Sequence, residues 1–218
     1  MLNQQKRPTN LPLHNFPIES FIGGTYMPEK VCDDLIDFFE SNPERQTQGK
    51  VNANPNEDLE NLQQERNLVK KSIDMGFDIP NNPEDCEVMN EYFKYLNMGI
   101  AEYQHDYPVV KNLERFGTIE GVNIQKYNPG DGFYEWHQER NGWPTASRCL
   151  VHMTYLNDVP DGGTNFYFQK LTTPAKKGLT VIWPSDWTHI HQGQVSKTHT
   201  KYIVTGWMNY LEAAKFYG

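Results

Sequence analysis

Cysteine is scarce in this sequence, and basic residues are fewer than acidic ones. Cys32, Cys86 and Cys149 are far apart, so they match neither a zinc-binding pattern nor a disulfide framework. This cysteine usage predicts a cytoplasmic protein with reduced thiols. The 20 Lys and Arg against 28 Asp and Glu give a formal net charge of −8. That balance argues against a nucleic-acid partner, because binding phosphates takes clustered cations.

Long apolar runs are also missing from the chain. It contains no stretch of about 18 consecutive apolar residues, so the sequence predicts neither a membrane-spanning helix nor a membrane partner. Residues 1–8 lead into no continuous apolar segment, and a secretory signal is therefore not expected. The chain has many aromatic residues instead, 12 Tyr, 11 Phe and 5 Trp, which can bury large areas in a core.

The residue pattern changes near residue 117. Before it, apolar residues recur at helical spacing in a segment that Pro28 opens and in a second segment after the capping sequence Asn82-Pro83. Residues 43–83 are largely polar, which predicts a loop with a short helix near 57–66.

After residue 117, short runs rich in Val, Ile, Thr, Tyr and Phe alternate with turn sequences such as Asp161-Gly162-Gly163. This spacing predicts a mainly β protein with N-terminal helices, its strands arranged as a sandwich or barrel of jelly-roll type. We expect one domain over residues 1–218, with a helical support region at about 17–116 and a β core at about 117–210. The predicted strands lie at 118–127, 133–138, 148–156, 164–168, 178–183, 188–192 and 200–210.

Two histidines and one carboxylate in the β core form a candidate metal site. His137 and Glu139 are two residues apart at the end of a predicted strand, where alternate residues share a face. His191 lies on another predicted strand. Two imidazoles and a carboxylate are the facial triad that binds Fe(II) and leaves three adjacent positions open. In isolation the same residues could be a strand-end histidine and a surface glutamate, so their neighbours matter.

An ordered series of residues surrounds this candidate site. Lys201 follows His191 by ten residues, Tyr127 precedes His137 by ten, and Tyr155 lies on the next predicted strand. The series resembles the prolyl 4-hydroxylase-like type of the Fe(II)/2-oxoglutarate-dependent oxygenases. The resemblance implies a double-stranded β-helix, the cupin-like jelly roll, with Fe(II) bound by His137, Glu139 and His191.

The resemblance also implies a cosubstrate site. Lys201 matches the basic residue that binds the distal carboxylate of 2-oxoglutarate by a charge-assisted hydrogen bond. Tyr127 and Thr205 match hydroxyl groups that help to hold the cosubstrate, Tyr155 matches a pocket-lining tyrosine, and Trp207 is expected as a pocket wall. The strand pattern supports this assignment independently, because every second residue from Lys201 to Trp207 falls on one face.

The resemblance spans residues 118–210 and includes two points of difference. The family usually has Asp where this chain has Glu139, which is one methylene longer but still offers a carboxylate oxygen. His189 would share a strand face with His191. The interval of ten residues to Lys201 favours His191 as the ligand, which leaves His189 as a neighbour or a solvent-facing residue.

The activity implied by the resemblance is hydroxylation with Fe(II), 2-oxoglutarate and O2, forming succinate and CO2, with ascorbate as a further expected cofactor. The expected substrate is a residue of a peptide or protein, with proline as the leading candidate. A small-molecule or free amino-acid hydroxylase of the same superfamily is the alternative. A third hypothesis is a non-catalytic β-helix binding module, because Glu139 stands where the family usually has Asp.

Overall fold

The described part of the chain, residues 6–49, 69–79 and 81–213 of a computed structural model, contains fourteen strands and two α-helices besides short 3-10 helices. No helix within these ranges combines the length and apolarity that crossing a membrane requires. The helices are α1 (Glu29–Ser41) and α2 (Pro83–Asp106). The strands are β1 (Leu13–His14), β2 (Gly23–Tyr26), β3 (Thr47–Gln48), β4 (Lys70–Lys71), β5 (Ile73–Phe77), β6 (Phe116–Gly117), β7 (Val122–Tyr127), β8 (Gly132–Phe133), β9 (Arg148–Tyr155), β10 (Val159–Phe166), β11 (Leu171–Ala175), β12 (Leu179–Pro184), β13 (His191–Gly193) and β14 (Lys201–Tyr210).

The strands form two main antiparallel sheets. Within the described ranges, nine strands make a large sheet in the order β1-β2-β12-β9-β14-β7-β5-β3, with β6 pairing to β14. A smaller sheet has the order β11-β10-β13, and β4 pairs with β8 as a separate ribbon. This arrangement confirms the predicted mainly β jelly roll with N-terminal helices.

Strand periodicity divides the core into two layers. Successive side chains of a strand point to opposite faces of its sheet. In β14, Ile203 therefore packs in the layer between the two sheets, with Phe166 of β10. Val204 and Met208 of the same strand pack in the layer beneath the helices. The helices thus cover the outer face of the large sheet. Its inner face, towards the smaller sheet, is the face that can carry a site.

The two helices begin where the sequence predicts. α1 follows Pro28 and buries Leu35 and Phe39 against the outer face of the large sheet. α2 follows Asn82, whose side-chain oxygen accepts a hydrogen bond of 3.1 Å from the Glu84 backbone N–H. That bond satisfies one of the free N–H groups at a helix start, which is why Asn favours this position.

The prediction of loop over 43–83 is wrong for β5. This strand buries Met75 and Phe77 and pairs with β7 over five residues. Its sequence, IDMGF, is short and contains Asp and Gly, so pairing with β7 rather than local preference forms the strand. The short helix predicted near 57–66 lies outside the described residues.

Two predicted strands beside the candidate metal site are much shorter than expected. In the predicted strand 133–138, β-pairing ends at Phe133 apart from a single bridge between His137 and His191. In the predicted strand 188–192, residues Trp187–His189 form a 3-10 turn, and β13 begins at His191. The metal-ligand candidates therefore lie where strands end.

The turn predicted at Asp161-Gly162-Gly163 is also wrong, since these residues lie inside β10. The pairing of β10 with β11 shifts register between Val159 and Thr164, so the segment forms an irregular stretch rather than a reversal. Glycine fits here because a Cβ at Gly163 would collide with the Thr173 carbonyl of β11. Close approach of two strands, not a turn, explains the glycine.

Candidate metal and cosubstrate site

A cavity of about 950 Å³ lies against the inner face of the large sheet. All eight site residues predicted from the sequence line it, and they come from β7, β9, β13, β14 and the segment after β8. The prediction that the alternate residues of β14 share one face is confirmed. The eight residues are His137, Glu139, His191, Lys201, Tyr127, Tyr155, Thr205 and Trp207.

His137, Glu139 and His191 converge at one point of this cavity. One possible ligand atom from each residue lies within 4.8 Å of the others, and among the described residues these three form the group that could hold a metal ion. The Nε2 atoms of His137 and His191 lie 3.5 and 3.4 Å from Oε1 of Glu139. The bridge between the two histidine backbones fixes their spacing.

Hydrogen bonds donated by the other ring nitrogen of each histidine fix the tautomers. Nδ1 of His137 lies 3.0 Å from the Glu135 carbonyl, and Nδ1 of His191 lies 2.9 Å from the His189 carbonyl. Because a carbonyl oxygen can only accept, each Nδ1 carries the proton, and in the neutral rings each Nε2 presents a lone pair. Two lone pairs and a carboxylate oxygen facing one another repel unless a cation lies between them. The residues therefore fit a divalent metal ion.

The ionisation of the site favours metal ligands. Burial and the neighbouring His137 lower the pKa of His191, which keeps its imidazole neutral. Burial acts to raise the pKa of Glu139, but positive charge on the two imidazoles, which they carry only when protonated, outweighs it and holds that pKa well below its usual range, so the carboxylate is ionised. The site thus offers one anionic oxygen beside neutral imidazole nitrogen, the donor set that suits Fe(II).

The second carboxylate oxygen of Glu139 has its own partners. Nε1 of Trp207 donates to Oε2 of Glu139 at 2.9 Å, and a guanidinium nitrogen of Arg148 lies 3.6 Å from the same oxygen. The sequence did not assign Arg148 to the site. The sequence gives little indication of this role, because Arg148 comes to lie beside Trp207 only through the pairing of β9 with β14.

Lys201 lines the same cavity and is buried. Its ammonium donates to the carbonyls of Gly162 and Gln194 at 3.1 and 2.9 Å, and no carboxylate of the described residues forms an ion pair with it. Burial lowers the pKa of Lys201 to about 8, partly offset by the charge of Asp161. A buried ammonium without an anionic partner fits a carboxylate ligand.

The predicted hydroxyl groups are already engaged with protein partners. The Tyr127 hydroxyl donates to Gln125 at 2.6 Å, while its ring lies 5.1 Å from the Lys201 ammonium. The Tyr155 hydroxyl bonds to Thr164 and Thr173, both at 2.7 Å, and so ties β9 to the smaller sheet. Their roles in holding a cosubstrate, like that of Thr205, stay predictions.

His189 is a neighbour of the site and is not solvent-facing. It is buried, and its Nε2 lies 3.0 Å from the Ser20 carbonyl. Because its ring is bonded away from the site, only its carbonyl acts there, as the acceptor for Nδ1 of His191. This agrees with the prediction of His191 as the ligand.

The sequence of the β core matches a known family. Residues 122–209 match the family model of the 2OG-Fe(II) oxygenase superfamily. The match runs from β7 into β14 and includes the eight site residues predicted from the sequence. The predicted 2-oxoglutarate-dependent dioxygenase is thereby confirmed, and Fe(II), 2-oxoglutarate and O2 are the cofactors that this family implies. A search of curated proteins found no significant match to this chain.

Solved structures of prolyl hydroxylases share the fold of this chain. The viral collagen prolyl hydroxylase of Paramecium Bursaria Chlorella virus-1, in complex with 2-oxoglutarate, aligns with a TM-score of 0.61 at 16% identity, covering 88% of this chain and 97% of that one. A Pseudomonas putida prolyl-4-hydroxylase aligns with a TM-score of 0.60 at 14% identity, covering 88% and 96%. A Trichoplax adhaerens prolyl hydroxylase with a peptide of hypoxia inducible factor gives 0.62 at 12% identity, covering 87% and 80%. The predicted resemblance to the prolyl 4-hydroxylase-like type is confirmed.

Proposed function

We propose that this oxygenase hydroxylates a residue of a peptide or protein, with proline as the expected residue, and forms succinate and CO2. The observation that carries the proposal is the convergence of His137, Glu139 and His191 in the same cavity as the Lys201 ammonium, which has no carboxylate partner in the part of the chain that the structure describes. The three converging residues would hold Fe(II), and Lys201 would bind the distal carboxylate of 2-oxoglutarate. Ascorbate stays an expectation from the resemblance.

Each group of the chain has a defined task in this proposal. Bound Fe(II) with 2-oxoglutarate and O2 supplies the oxidation that inserts one oxygen atom into a substrate C–H bond. The protein orients the metal through His137 and His191, whose Nδ1 protons are held by backbone carbonyls. Lys201 fixes the far end of the cosubstrate by a charge-assisted hydrogen bond.

The shape of the cavity favours a substrate that extends beyond a small molecule. From the metal-ligand candidates the cavity continues past β7 to Gly76 and Asp78, on and just after β5. Its volume of about 950 Å³ is near the upper end for small-ligand sites, so room remains beside a cosubstrate. The peptide in the Trichoplax structure supports the same substrate class. A free amino acid is the alternative substrate.

An anaerobic titration tests the metal and cosubstrate sites together. Adding Fe(II) and then 2-oxoglutarate should produce a visible metal-to-ligand charge-transfer band, and His137→Ala should abolish it because one ligand is lost. His199→Ala is the control, since His199 is exposed and lies outside the cavity lining. The absence of a band in the unmodified protein would favour a non-catalytic binding module.

A second experiment identifies the substrate class. Proline-rich peptides and free amino acids are incubated separately with the protein, Fe(II) and 2-oxoglutarate under air. Mass spectrometry should find one added oxygen atom in the peptides and not in the amino acids. The reverse result would establish the small-molecule hydroxylase.

We also propose that the protein is located in the cytoplasm and that it binds no nucleic acid. The three cysteines are free thiols in the structure, which is typical of a reducing compartment. The net charge of −8 opposes binding to phosphate backbones. The free thiols and the net charge are independent of the chemistry proposed for the cavity.

A further inference from the structure

Glu139 poses a geometric problem that an aspartate would not. Its side chain has one more rotatable bond, so holding it in one orientation costs more conformational entropy. A carboxylate can also bind a metal ion through one oxygen or through both. Something in the protein must therefore direct Oε1 of Glu139 towards His137 and His191, from which it lies 3.5 and 3.4 Å.

Trp207 supplies part of this constraint. Its indole Nε1, a donor that has no acceptor capacity, lies 2.9 Å from Oε2 of Glu139. Because this bond uses the oxygen remote from the histidines, it orients the carboxylate without competing for Oε1. It also favours the ionised form of Glu139, since a carboxylate accepts a stronger hydrogen bond than a neutral acid does.

Arg148 completes the constraint from the neighbouring strand. Its guanidinium lies 3.7 Å from the centre of the Trp207 ring and 3.6 Å from Oε2 of Glu139, and it donates to the Glu139 backbone carbonyl at 3.1 Å. Two further bonds, of 2.9 and 2.5 Å, join it to the Glu120 carboxylate. Arg148 is buried and held on several sides, so it forms a rigid support.

We infer that Trp207 and Arg148 are positioning residues that restrict Glu139 to a single oxygen ligand. Both residues belong to the large sheet, Trp207 on β14 and Arg148 on β9, and those strands pair directly. Oε2 accepts the indole N–H and faces the Arg148 guanidinium at 3.6 Å, which leaves Oε1 directed towards the ion. This inference rests on the proposed metal site, and it assigns Trp207 a task on the carboxylate beyond that of a pocket wall.

Trp207→Phe tests the inference by removing one N–H group. The phenyl ring still packs on Arg148, so the fold should be kept, and circular dichroism with a thermal melt checks this. Binding of Co(II) is measured by calorimetry and by the visible spectrum of the bound ion. We expect affinity to weaken about 10- to 100-fold, the usual effect of losing a partner of a metal ligand, and the spectrum to change. Trp187→Phe, at an exposed tryptophan, is the matched control and should bind as the unmodified protein does.

A double-mutant cycle with Glu139→Asp separates positioning from general packing. The shorter Asp side chain cannot reach both the indole and the ion, so Trp207→Phe should weaken Co(II) binding much less in that background. Equal losses in both backgrounds, or unchanged affinity and spectrum in Trp207→Phe alone, would overturn the inference while leaving the metal site intact. No Co(II) binding to the unmodified protein would overturn the proposed function as well.

Discussion

Protonation of individual side chains sets what this cavity binds. The carbonyls beside His137 and His191 hold the Nδ1 protons, which leaves the Nε2 lone pairs for a cation. Lys201 carries the opposite charge: among the described residues, its buried ammonium bonds to two carbonyls and to no carboxylate. The cavity therefore pairs a cation-binding end with an anion-binding end, which is what a metal-bound dicarboxylate needs.

The affinity for 2-oxoglutarate should depend on pH through Lys201. Burial lowers its pKa to about 8 in the free protein, and the groups facing it are Asp161 and Tyr127. A bound carboxylate favours the ammonium, so binding above that pKa requires proton uptake. From about pH 7 to about pH 9.5, affinity should be constant at first and then fall, by up to about tenfold per pH unit. Anaerobic calorimetry at each pH measures the affinity for 2-oxoglutarate.

Lys201→Arg is the control for this pH dependence. A guanidinium stays protonated over the whole range, so the fall in affinity above pH about 8 should disappear even where binding is weaker. An unmodified protein whose affinity for 2-oxoglutarate is constant up to pH about 9.5 would contradict the assignment of Lys201.

The elements that carry the site differ in how readily sequence predicts them. β14 is ten residues long, and every second residue from Lys201 to Trp207 lines the cavity, so these inward residues can be assigned from the two-residue period of a strand. α2 is recognisable from its cap at Asn82. β5 and β11 have five residues each and are stabilised by pairing with β7 and β10, which no local pattern reports.

The packing of α1 against the large sheet stabilises the outer wall of the cavity. Phe39 is fully buried, and its ring lies edge-on to Tyr202 of β14 with centroids 6.0 Å apart. Phe39→Ala should lower the free energy of unfolding by about 3–5 kcal/mol, measured by denaturant titration. Phe168→Ala, at a ring that is 54% exposed, should change it by less than about 0.5 kcal/mol. Equal effects would contradict this view of the packing.

At the scale of the whole molecule, two sheets bring together residues that are distant in sequence. Spacing and resemblance were enough to predict the three metal-ligand candidates and Lys201, because each has a characteristic residue type at a characteristic interval. The support of Glu139 by Arg148 and Trp207 could not be predicted, because it depends on the pairing of β9 with β14. The early end of β8 at Phe133 and the start of β13 at His191 also escaped prediction, because they depend on the His137–His191 bridge and on pairing with β10.

The central claim is that one divalent ion binds between His137, Glu139 and His191. A crystal structure with Mn(II) and 2-oxoglutarate, with the ion located by its anomalous signal, tests it most directly. The account predicts a single anomalous peak bonded to Nε2 of both histidines and to one oxygen of Glu139, with the distal carboxylate of 2-oxoglutarate on the Lys201 ammonium. A cavity that holds no ion under these conditions, or an ion bound without Glu139, would contradict it.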